Sequence, residues 1–164
     1  MMNRTFIING KGGAGKNQFI TFLQEFNSDV TTTSSVGEIK RVAKEYFGWN
    51  GEKTDESRKF LSDLKDMQTK ANNGPFEYMK GIWKSRRHNK VQFFHIREPE
   101  EIEKFKALTG ATTVLVEREV IGNKVYGNSG DDGVDEYKYD IIVYNTTLEL
   151  LKRYAKKFNK IFIG

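Results

Sequence analysis

The sequence predicts an α/β fold in which a five-stranded parallel sheet lies between two layers of helices. Short apolar runs alternate with longer amphipathic segments, and most of these runs are almost continuously apolar. Strands of this composition are buried on both faces, as in parallel sheets covered by helices. No repeat, low-complexity tract or linker interrupts the 164 residues, so we expect one domain over residues 1–164.

The first half of the chain predicts two strands and four helices. The run RTFIING, residues 4–10, predicts a buried strand because it is short, β-branched and closed by glycine. Phe19, Phe22, Leu23 and Phe26 recur at helical spacing within residues 16–26. The further elements expected in this half are a strand at 29–36 and helices at 37–49, 55–74 and 75–88.

The second half continues the alternation. We expect strands at 90–96, 112–118 and 138–145, helices at 98–110 and 146–158, and a terminal strand formed by KIFIG at 160–164. The segment 119–136 holds four glycines and several aspartates without periodicity, which predicts a mobile loop or a short lid. Trp49 and Trp83 fit core positions better than base-stacking positions.

The amino-acid composition limits the classes of ligand and partner that the protein can be expected to bind. The net charge of +5 favours an anionic ligand, but the basic residues are spread out, so a small phosphorylated molecule explains them as well as a polynucleotide. No apolar run approaches the roughly 20 residues of a membrane helix. MMNRTFIING predicts an opening strand rather than a signal peptide. The absence of cysteine excludes disulfides and fits a cytoplasmic protein.

The stretch GKGGAGKN matches the phosphate-loop pattern G-x-x-x-x-G-K-[ST] except at its last residue, Asn17. It lies between a predicted strand and a predicted helix, which is the context that a phosphate loop needs. Glycines let backbone amides surround phosphates, and the loop lysine reaches the terminal ones. The candidate ATP-binding residues are Gly10, Gly12, Gly13, Ala14, Gly15, Lys16 and Asn17.

Asn17 stands where the pattern has a magnesium-binding hydroxyl. Its amide oxygen is a neutral donor for Mg²⁺ or for water bound to the ion, so we expect weaker dependence on the metal. Glu98 is a second candidate for holding Mg²⁺ through water, with an ion pair as its alternative role. Asp131 and Asp132 are candidates for ordering the lid or the water around the metal.

Other strand ends carry cations. Ligands on parallel sheets bind at the carboxyl ends of the strands. Arg97 follows the third predicted strand, where its fork could bind a phosphate or form a structural ion pair. Arg118 follows the fourth strand at the base of the lid. After the second strand come further residues that could frame an acceptor phosphate, each of which could instead be an ordinary surface residue: Ser34, Lys40, Arg41, Lys53 and Arg58. His88 and His95 lack metal-ligand spacing.

These motifs give the chain a family resemblance. It resembles the P-loop nucleoside monophosphate kinases, and within them the small deoxynucleoside monophosphate kinases and adenylate-kinase-like proteins of phages. The blocks that carry the resemblance are GKGGAGKNQF, SSVGEIKRVAKEYFGWNGEKTDESRKFL, NNGPFEYM, IREPEEI, LVER and DDGVDEYKYDIIVYN. The resemblance implies an adenylate-kinase-like fold, with an acceptor-binding helical region at about 34–88 and the lid at 119–136.

The resemblance also implies an activity. It implies phosphoryl transfer from ATP, with Mg²⁺, to a (deoxy)nucleoside monophosphate. Lys16 and the loop amides would hold the donor, Arg97 with Lys40 or Arg58 the acceptor, and Arg118 the transferring group. This lid has fewer arginines than the lids of full-length adenylate kinases. Two alternatives stay open: a kinase acting on another phosphorylated small molecule or on DNA, and a catalytically weak nucleotide-binding regulator.

Overall fold

Five parallel strands form the centre of the protein. The computed structural model describes residues 4–88, 90–119 and 133–164. The strands are β1 (Thr5–Asn9), β2 (Val30–Ser34), β3 (Val91–His95), β4 (Thr112–Glu117) and β5 (Ile141–Tyr144). Their order in the sheet is β2-β3-β1-β4-β5, and every pair is parallel. The predicted five-stranded parallel sheet is therefore confirmed.

Helices connect the strands and cover both faces of the sheet. They are α1 (Lys16–Phe26), α2 (Gly37–Phe47), α3 (Asp55–Asn72), α4 (Gly74–Arg86), α5 (Pro99–Thr109) and α6 (Leu148–Phe158), with a 3₁₀ turn at Val134–Glu136. All six correspond to predicted helices. Within the described ranges, no helix is long and apolar enough to cross a membrane.

The predicted terminal strand at 160–164 is wrong. Residues Asn159–Ile163 instead continue α6 as a π-helical turn, and the amide of Gly164 donates to the Asn159 carbonyl at 2.8 Å. Ile163 is buried in the core and the ring of Phe162 lies 4.8 Å from that of Phe158. Packing against the preceding helix thus overrides the strand propensity of this apolar run.

Each face of the sheet has its own core. On the face covered by α1 and α6, Phe6 and Phe93 stack with ring centroids 4.7 Å apart, and Phe158 packs against both. On the face covered by α4 and α5, the rings of Phe94 and Phe105 lie 4.6 Å apart. These apolar contacts hold β1 in the middle of the sheet between β3 and β4.

A third, smaller core joins α2 to α3. Ile39, Ala43 and Leu61 form it, and Trp49 packs against it while donating to the Ser57 hydroxyl at 3.2 Å. Trp83 packs in the α4–α5 core and donates to Thr5 Oγ1 at 3.1 Å. Both tryptophans are partly buried and pack against a core, in line with the predicted packing role.

Candidate active site

The phosphate-loop sequence forms a tight loop between the end of β1 and the start of α1. Gly10 has φ +152°, and a Cβ atom there would lie 2.4 Å from the Val116 carbonyl oxygen of β4. Gly15 has φ +101° and precedes the first turn of α1. Its missing Cβ leaves room for the Asn145 amide, whose nitrogen would otherwise be 2.4 Å away. Glycine is therefore required at both positions for close approach as well as for the backbone angle.

Two asparagines hold this loop in place. The side chain of Asn145 donates from Nδ2 to the Ala14 carbonyl at 2.9 Å, and the backbone N–H of Asn145 donates to the Glu117 carbonyl at 2.8 Å. Asn9 accepts from the Gly10 amide at 2.8 Å and donates to the Arg97 carbonyl at 3.1 Å. The loop is thereby tied to β4, to the residue after β5 and to the residues after β3.

Sequence reasoning missed both asparagines. Asn9 is the last residue of β1, and Asn145 directly follows β5, so each lies at a strand end. An inspection of every strand end for polar side chains, charged or not, would have found them.

The side chain of Lys16 folds back over the loop. Its ammonium group contacts the Gly10 carbonyl and lies 3.4 Å from the Lys11 carbonyl oxygen. This places a cation beside the backbone amides of the loop, at the start of α1. Such an arrangement suits a polyphosphate, because the lysine and the helix N-terminus both favour negative charge there.

Further cations lie around His95, at the end of β3. Partial burial of this imidazole, and then the charges of Lys16, Arg97 and Lys40, lower the pKa of His95 to about 3. Its Nε2 atom lies at a hydrogen-bond distance of 2.8 Å from Thr32 Oγ1. His95 is therefore neutral at physiological pH, and three positive charges share its surroundings.

Lys40 extends this group of cations. Although the residue keeps part of its surface exposed, burial of its ammonium group lowers the pKa of Lys40, and the charges of Arg97, Lys53 and Lys44 lower it further. Four of the predicted site residues thus act on His95 or on Lys40, and we call them the cation cluster: Lys16, Lys40, Lys53 and Arg97. Positive charge at the carboxyl end of a parallel sheet favours the binding of an anion.

Arg58 reaches the phosphate loop from α3. A Cβ atom on Gly12 would lie 3.2 Å from Cζ of the Arg58 guanidinium. Arg58 also forms an ion pair with Asp55, with Nη1 and Oδ1 3.1 Å apart. The helical region between β2 and β3 therefore places a guanidinium directly on the predicted donor loop.

Two residues predicted to bind the acceptor have other partners in the structure. Arg41 is exposed and pairs with Glu38 and Glu45 of its own helix, at 3.1 and 2.8 Å. The spacing of three and four residues makes these pairs local, so they direct Arg41 along the surface of α2. The Ser34 hydroxyl accepts from the Val36 amide at 3.2 Å and shapes the turn into α2.

The two predicted metal ligands, Asn17 and Glu98, lie in different surroundings, and their role in holding Mg²⁺ stays a prediction. Glu98 is paired with the buried Lys65, which also contacts Glu101 at 2.8 Å. Asn17 is exposed in the first turn of α1 and supplies a neutral amide. Across the described ranges, no group of three or more acidic or histidine side chains is arranged to hold a metal ion. Asn17 and Glu98 are thus a neutral amide and an ion-paired carboxylate, and both are weaker ligands for Mg²⁺ than a free carboxylate.

The lid can be described only at its two ends. Arg118 is exposed beside a small pocket that Lys11, Ala14, Val134 and Asp135 also line. Lys11 of the phosphate loop pairs with Asp135 of the 3₁₀ turn at 2.8 Å. Arg118 thus lies near the loop, as predicted from its strand-end position. Asp131 and Asp132, with the rest of 120–132, fall outside the described residues.

Tyr139 fixes the chain after the lid. Its hydroxyl donates to the Val134 carbonyl at 2.9 Å and accepts from Asn9 Nδ2 at 2.7 Å. Burial raises the pKa of Tyr139 well above its ordinary value, so the hydroxyl stays protonated and able to donate. The segment after the lid is thereby fastened to the end of β1.

Solved structures share this fold over the whole chain. Three that match are TT1252 from Thermus thermophilus, a shikimate kinase from Aquifex aeolicus and a dephospho-CoA kinase from Campylobacter jejuni. Their TM-scores are 0.59, 0.56 and 0.54, at sequence identities of 15, 16 and 13%. The aligned shares of this chain are 100, 98 and 100%, and those of the other chains 100, 99 and 100%.

No family model matches the sequence, and no curated protein matches it. At these identities the structural likeness shows the fold alone. The chain has the three-layer α/β/α fold of the P-loop kinases, of the adenylate-kinase-like type, as the sequence predicted.

Proposed function

We propose that the protein transfers a phosphoryl group from ATP to a (deoxy)nucleoside monophosphate. The observation that carries this proposal is the position of Arg58, whose guanidinium lies beside Gly12 of the phosphate loop while its helix, α3, lies in the region that the resemblance assigns to the acceptor. Arg58 is carried by α3 and reaches the phosphate loop, so its positive charge lies between the two proposed binding sites. This position suits a site where two phosphorylated molecules meet. The shared fold of the named kinases supports the same class of reaction.

The donor side consists of the loop and Lys16. The loop amides and the N-terminus of α1 would hold the β- and γ-phosphates of ATP, with the Lys16 ammonium beside them. Asn145 and Asn9 fix the loop before the nucleotide arrives, so nucleotide binding would cost little conformational entropy.

The acceptor side consists of Arg97, Lys40 and Lys53. Burial and then the charges of Arg97 and Lys53 lower the pKa of Lys40, so these three cations influence one another. A monophosphate dianion would relieve their mutual repulsion, which favours a phosphorylated acceptor over a neutral one. The nucleoside part of the proposal rests on the sequence blocks that resemble nucleoside monophosphate kinases, since the shikimate and dephospho-CoA kinases share only the fold.

The proposed chemistry needs no covalent intermediate. An oxygen of the acceptor phosphate attacks the γ-phosphorus of ATP, the bond to the bridging oxygen breaks, and ADP leaves. Lys16, Arg58 and Arg97 would hold the two phosphates in line and neutralise the charge of the transferring group, and Arg118 would close over it.

A coupled ADP-release assay tests the proposal across the common nucleoside and deoxynucleoside monophosphates, with shikimate and a 5′-phosphorylated oligonucleotide as other acceptors. We expect turnover with one or a few monophosphates and a loss of at least about 10²-fold in Lys16→Ala and Arg97→Ala. Arg153→Ala, an exposed arginine of α6, is the control and should retain activity. Turnover with only the other acceptors would contradict the proposed substrate.

A nucleotide-binding regulator is the second candidate. The poor fit of Asn17 and Glu98 to Mg²⁺ favours it, because transfer depends on neutralising the phosphates. It predicts ATP binding that depends on Lys16, without ADP release for any acceptor in the panel.

A further inference from the structure

A cavity of about 640 Å³ lies between α3, the start of α4, the start of α5 and the 3₁₀ turn. Sites for small organic ligands have volumes of about 300–1,000 Å³, so this cavity is large enough for a nucleoside. Although the whole chain has a net charge of +5, carboxylates dominate the lining of the cavity. They belong to Asp66, Glu98, Glu100, Glu101 and Glu136.

Two elements join the cavity to the proposed site of the acceptor phosphate. On α3, Asp66 follows Arg58 by eight residues, which is a rise of about 12 Å along the helix. After β3, Glu98 directly follows Arg97 and precedes the first residue of α5. A nucleoside monophosphate with its phosphate near Arg58 and Arg97 would therefore extend its base into the cavity.

The carboxylates of the cavity differ in their partners. The buried Lys65 pairs with both Glu98 and Glu101, at 2.8 Å from the second. Glu100 is exposed in the first turn of α5, where a carboxylate also favours the helix dipole. Asp66 is half-buried in the interior of α3 and forms no hydrogen bond or ion pair with any residue that the structure describes. Asp66 is therefore the carboxylate best placed to bind a ligand here.

Asn73 and Phe76 add an amide and an aromatic ring to the lining. Asn73 lies between α3 and α4 with φ 54°, and its side chain forms no capping hydrogen bond with α4. Asparagine in this position commonly caps the helix, so here its amide remains able to donate to a ligand. Phe76 is half-buried against Phe105, with ring centroids 6.2 Å apart, and supplies an aromatic wall that suits a flat base.

We propose that this cavity binds the base of the acceptor and that Asp66 and Asn73 select guanine. The inference rests on the proposed transfer to a nucleoside monophosphate and names its base. A carboxylate only accepts hydrogen bonds, and guanine presents two adjacent donors, N1–H and the 2-amino group, next to the acceptor O6. Asp66 would accept from both donors, and the Asn73 amide would donate to O6. Thymine and uracil have one N–H between two carbonyls, and adenine and cytosine have an amino group beside an acceptor nitrogen, so none offers this pair of donors.

Calorimetric titration of the full chain with nucleoside monophosphates, in the absence of ATP, tests the base preference. We expect GMP and dGMP to bind at least about tenfold more tightly than AMP, CMP, UMP and inosine monophosphate, which differs from GMP only in lacking the 2-amino group. Equal Kd values for GMP and inosine monophosphate, or tighter binding of another base, would overturn the inference. The proposed function would then still stand, because it requires only that some monophosphate accepts the phosphoryl group. Absence of binding for every monophosphate would overturn both.

Substitution of Asp66 tests its role as the residue that recognises the base. In Asp66→Ala we expect the preference for GMP over inosine monophosphate to fall from at least about tenfold to nearly none. Asp63→Ala removes an exposed aspartate of the same helix that pairs with Lys59, and it should keep the native preference. A folded Asp66→Ala that keeps the native preference would contradict the inference.

Asn73→Gly tests the contact with O6. Glycine accepts the left-handed backbone angle, so the variant removes the amide without straining the turn. We expect GMP and inosine monophosphate, which share O6, both to bind about tenfold more weakly. Unchanged affinity for both would contradict the role of Asn73. Circular dichroism and thermal unfolding show whether each variant folds, and Asp66→Asn, which keeps the shape of the side chain, replaces Asp66→Ala if that variant does not.

Discussion

The guanidinium of Arg58 lies beside Gly12, where a methyl group on the glycine would be 3.2 Å from Cζ of Arg58. This contact joins α3 to the phosphate loop across the gap between the proposed acceptor and donor sites. In the proposed reaction Arg58 would therefore be in a position to touch the phosphates of both substrates.

Replacing Arg58 should slow transfer more than it weakens ATP binding. In Arg58→Ala we expect kcat to fall by about 10²-fold or more, because a cation on the transferring group acts mainly in the transition state. Arg58→Lys should recover only part of the rate, since lysine lacks the planar fork. Steady-state kinetics measure both, and Lys59→Ala, which removes an exposed pair with Asp63 on the same helix, is the control. Equal losses in Arg58→Ala and the control would contradict the assigned role.

A methyl group at Gly10 should be far more damaging than one at Gly48. At Gly10 the new Cβ would meet the Val116 carbonyl oxygen at 2.4 Å, whereas at Gly48, with φ +66°, it would meet no atom within 4 Å. We expect Gly10→Ala to lower the free energy of unfolding by at least about 2 kcal/mol and Gly48→Ala by about 1 kcal/mol, the cost of the backbone angle alone. Urea unfolding compares the two. Equal costs would mean that the loop shifts to accept the side chain.

Removing the Asn145 amide should loosen the phosphate loop. Asn145→Ala leaves the Ala14 carbonyl without its hydrogen bond in a buried place, which costs about 1–3 kcal/mol. Asn145→Asp should cost more, because a carboxylate would then face the carbonyl oxygen. Both variants should also bind ATP more weakly, which calorimetry measures. Thr146→Ala, an exposed neighbour, should change neither property, and ATP affinity unaltered by Asn145→Ala would argue against a loop held by this residue.

Lys65 should be indispensable for stability at neutral pH. Its side chain is 3% exposed and lies between Glu98 and Glu101. Lys65→Met leaves two buried carboxylates without a cation, and we expect it to cost about 3–5 kcal/mol. Lys59→Met, which removes an exposed pair on the same helix, should cost less than about 1 kcal/mol.

The pH dependence of Lys65→Met separates lost charge from lost packing. In the native protein burial raises the pKa of Glu98, but Lys65 outweighs it and the pKa is lowered; burial keeps the pKa of Glu101 raised. The lowered pKa of Glu98 stabilises the native protein at pH values above the ordinary pKa of a glutamate, and this contribution is lost on acidification. The raised pKa of Glu101 destabilises it in that range, and this cost is relieved on acidification. Without Lys65 both pKa values are raised, so the variant should gain stability as the pH falls to about 5. Urea unfolding at several pH values measures this, and a constant deficit would indicate packing alone.

The sequence predicted site residues correctly where the pattern involved residues that are close together along the chain. The phosphate-loop pattern located Gly10–Asn17, and the rule about strand ends located Arg97 beside it, because both follow from neighbours along the chain. Only charged side chains were considered at the strand ends, so Asn9 and Asn145 were missed. In the structure both side chains form hydrogen bonds that hold the loop. Their partners are visible only once the strands are ordered in the sheet.

The other site predictions were limited because they depend on contacts between residues that are distant in the sequence. Glu98 was a reasonable metal ligand until Lys65, thirty-three positions earlier, was found to pair with it. Lys40 and Arg41 are adjacent in sequence but diverge on α2, and only Lys40 shares the surroundings of Arg97. The spacing of Arg41 to Glu38 and Glu45 was readable in advance as a local ion-pair pattern.

The central position of β1 also bears on how the protein folds. Thr5 pairs with Gln92 on one side and Phe6 with Thr112 on the other, so the strand that carries the phosphate loop has no partner in the first half of the chain. Contacts between such distant segments form slowly, because long loops must close first. We therefore expect the loop to take its shape only after most of the chain has collapsed around it. Nucleotide binding would then report completion of folding, and ATP would stabilise the whole domain rather than one local segment.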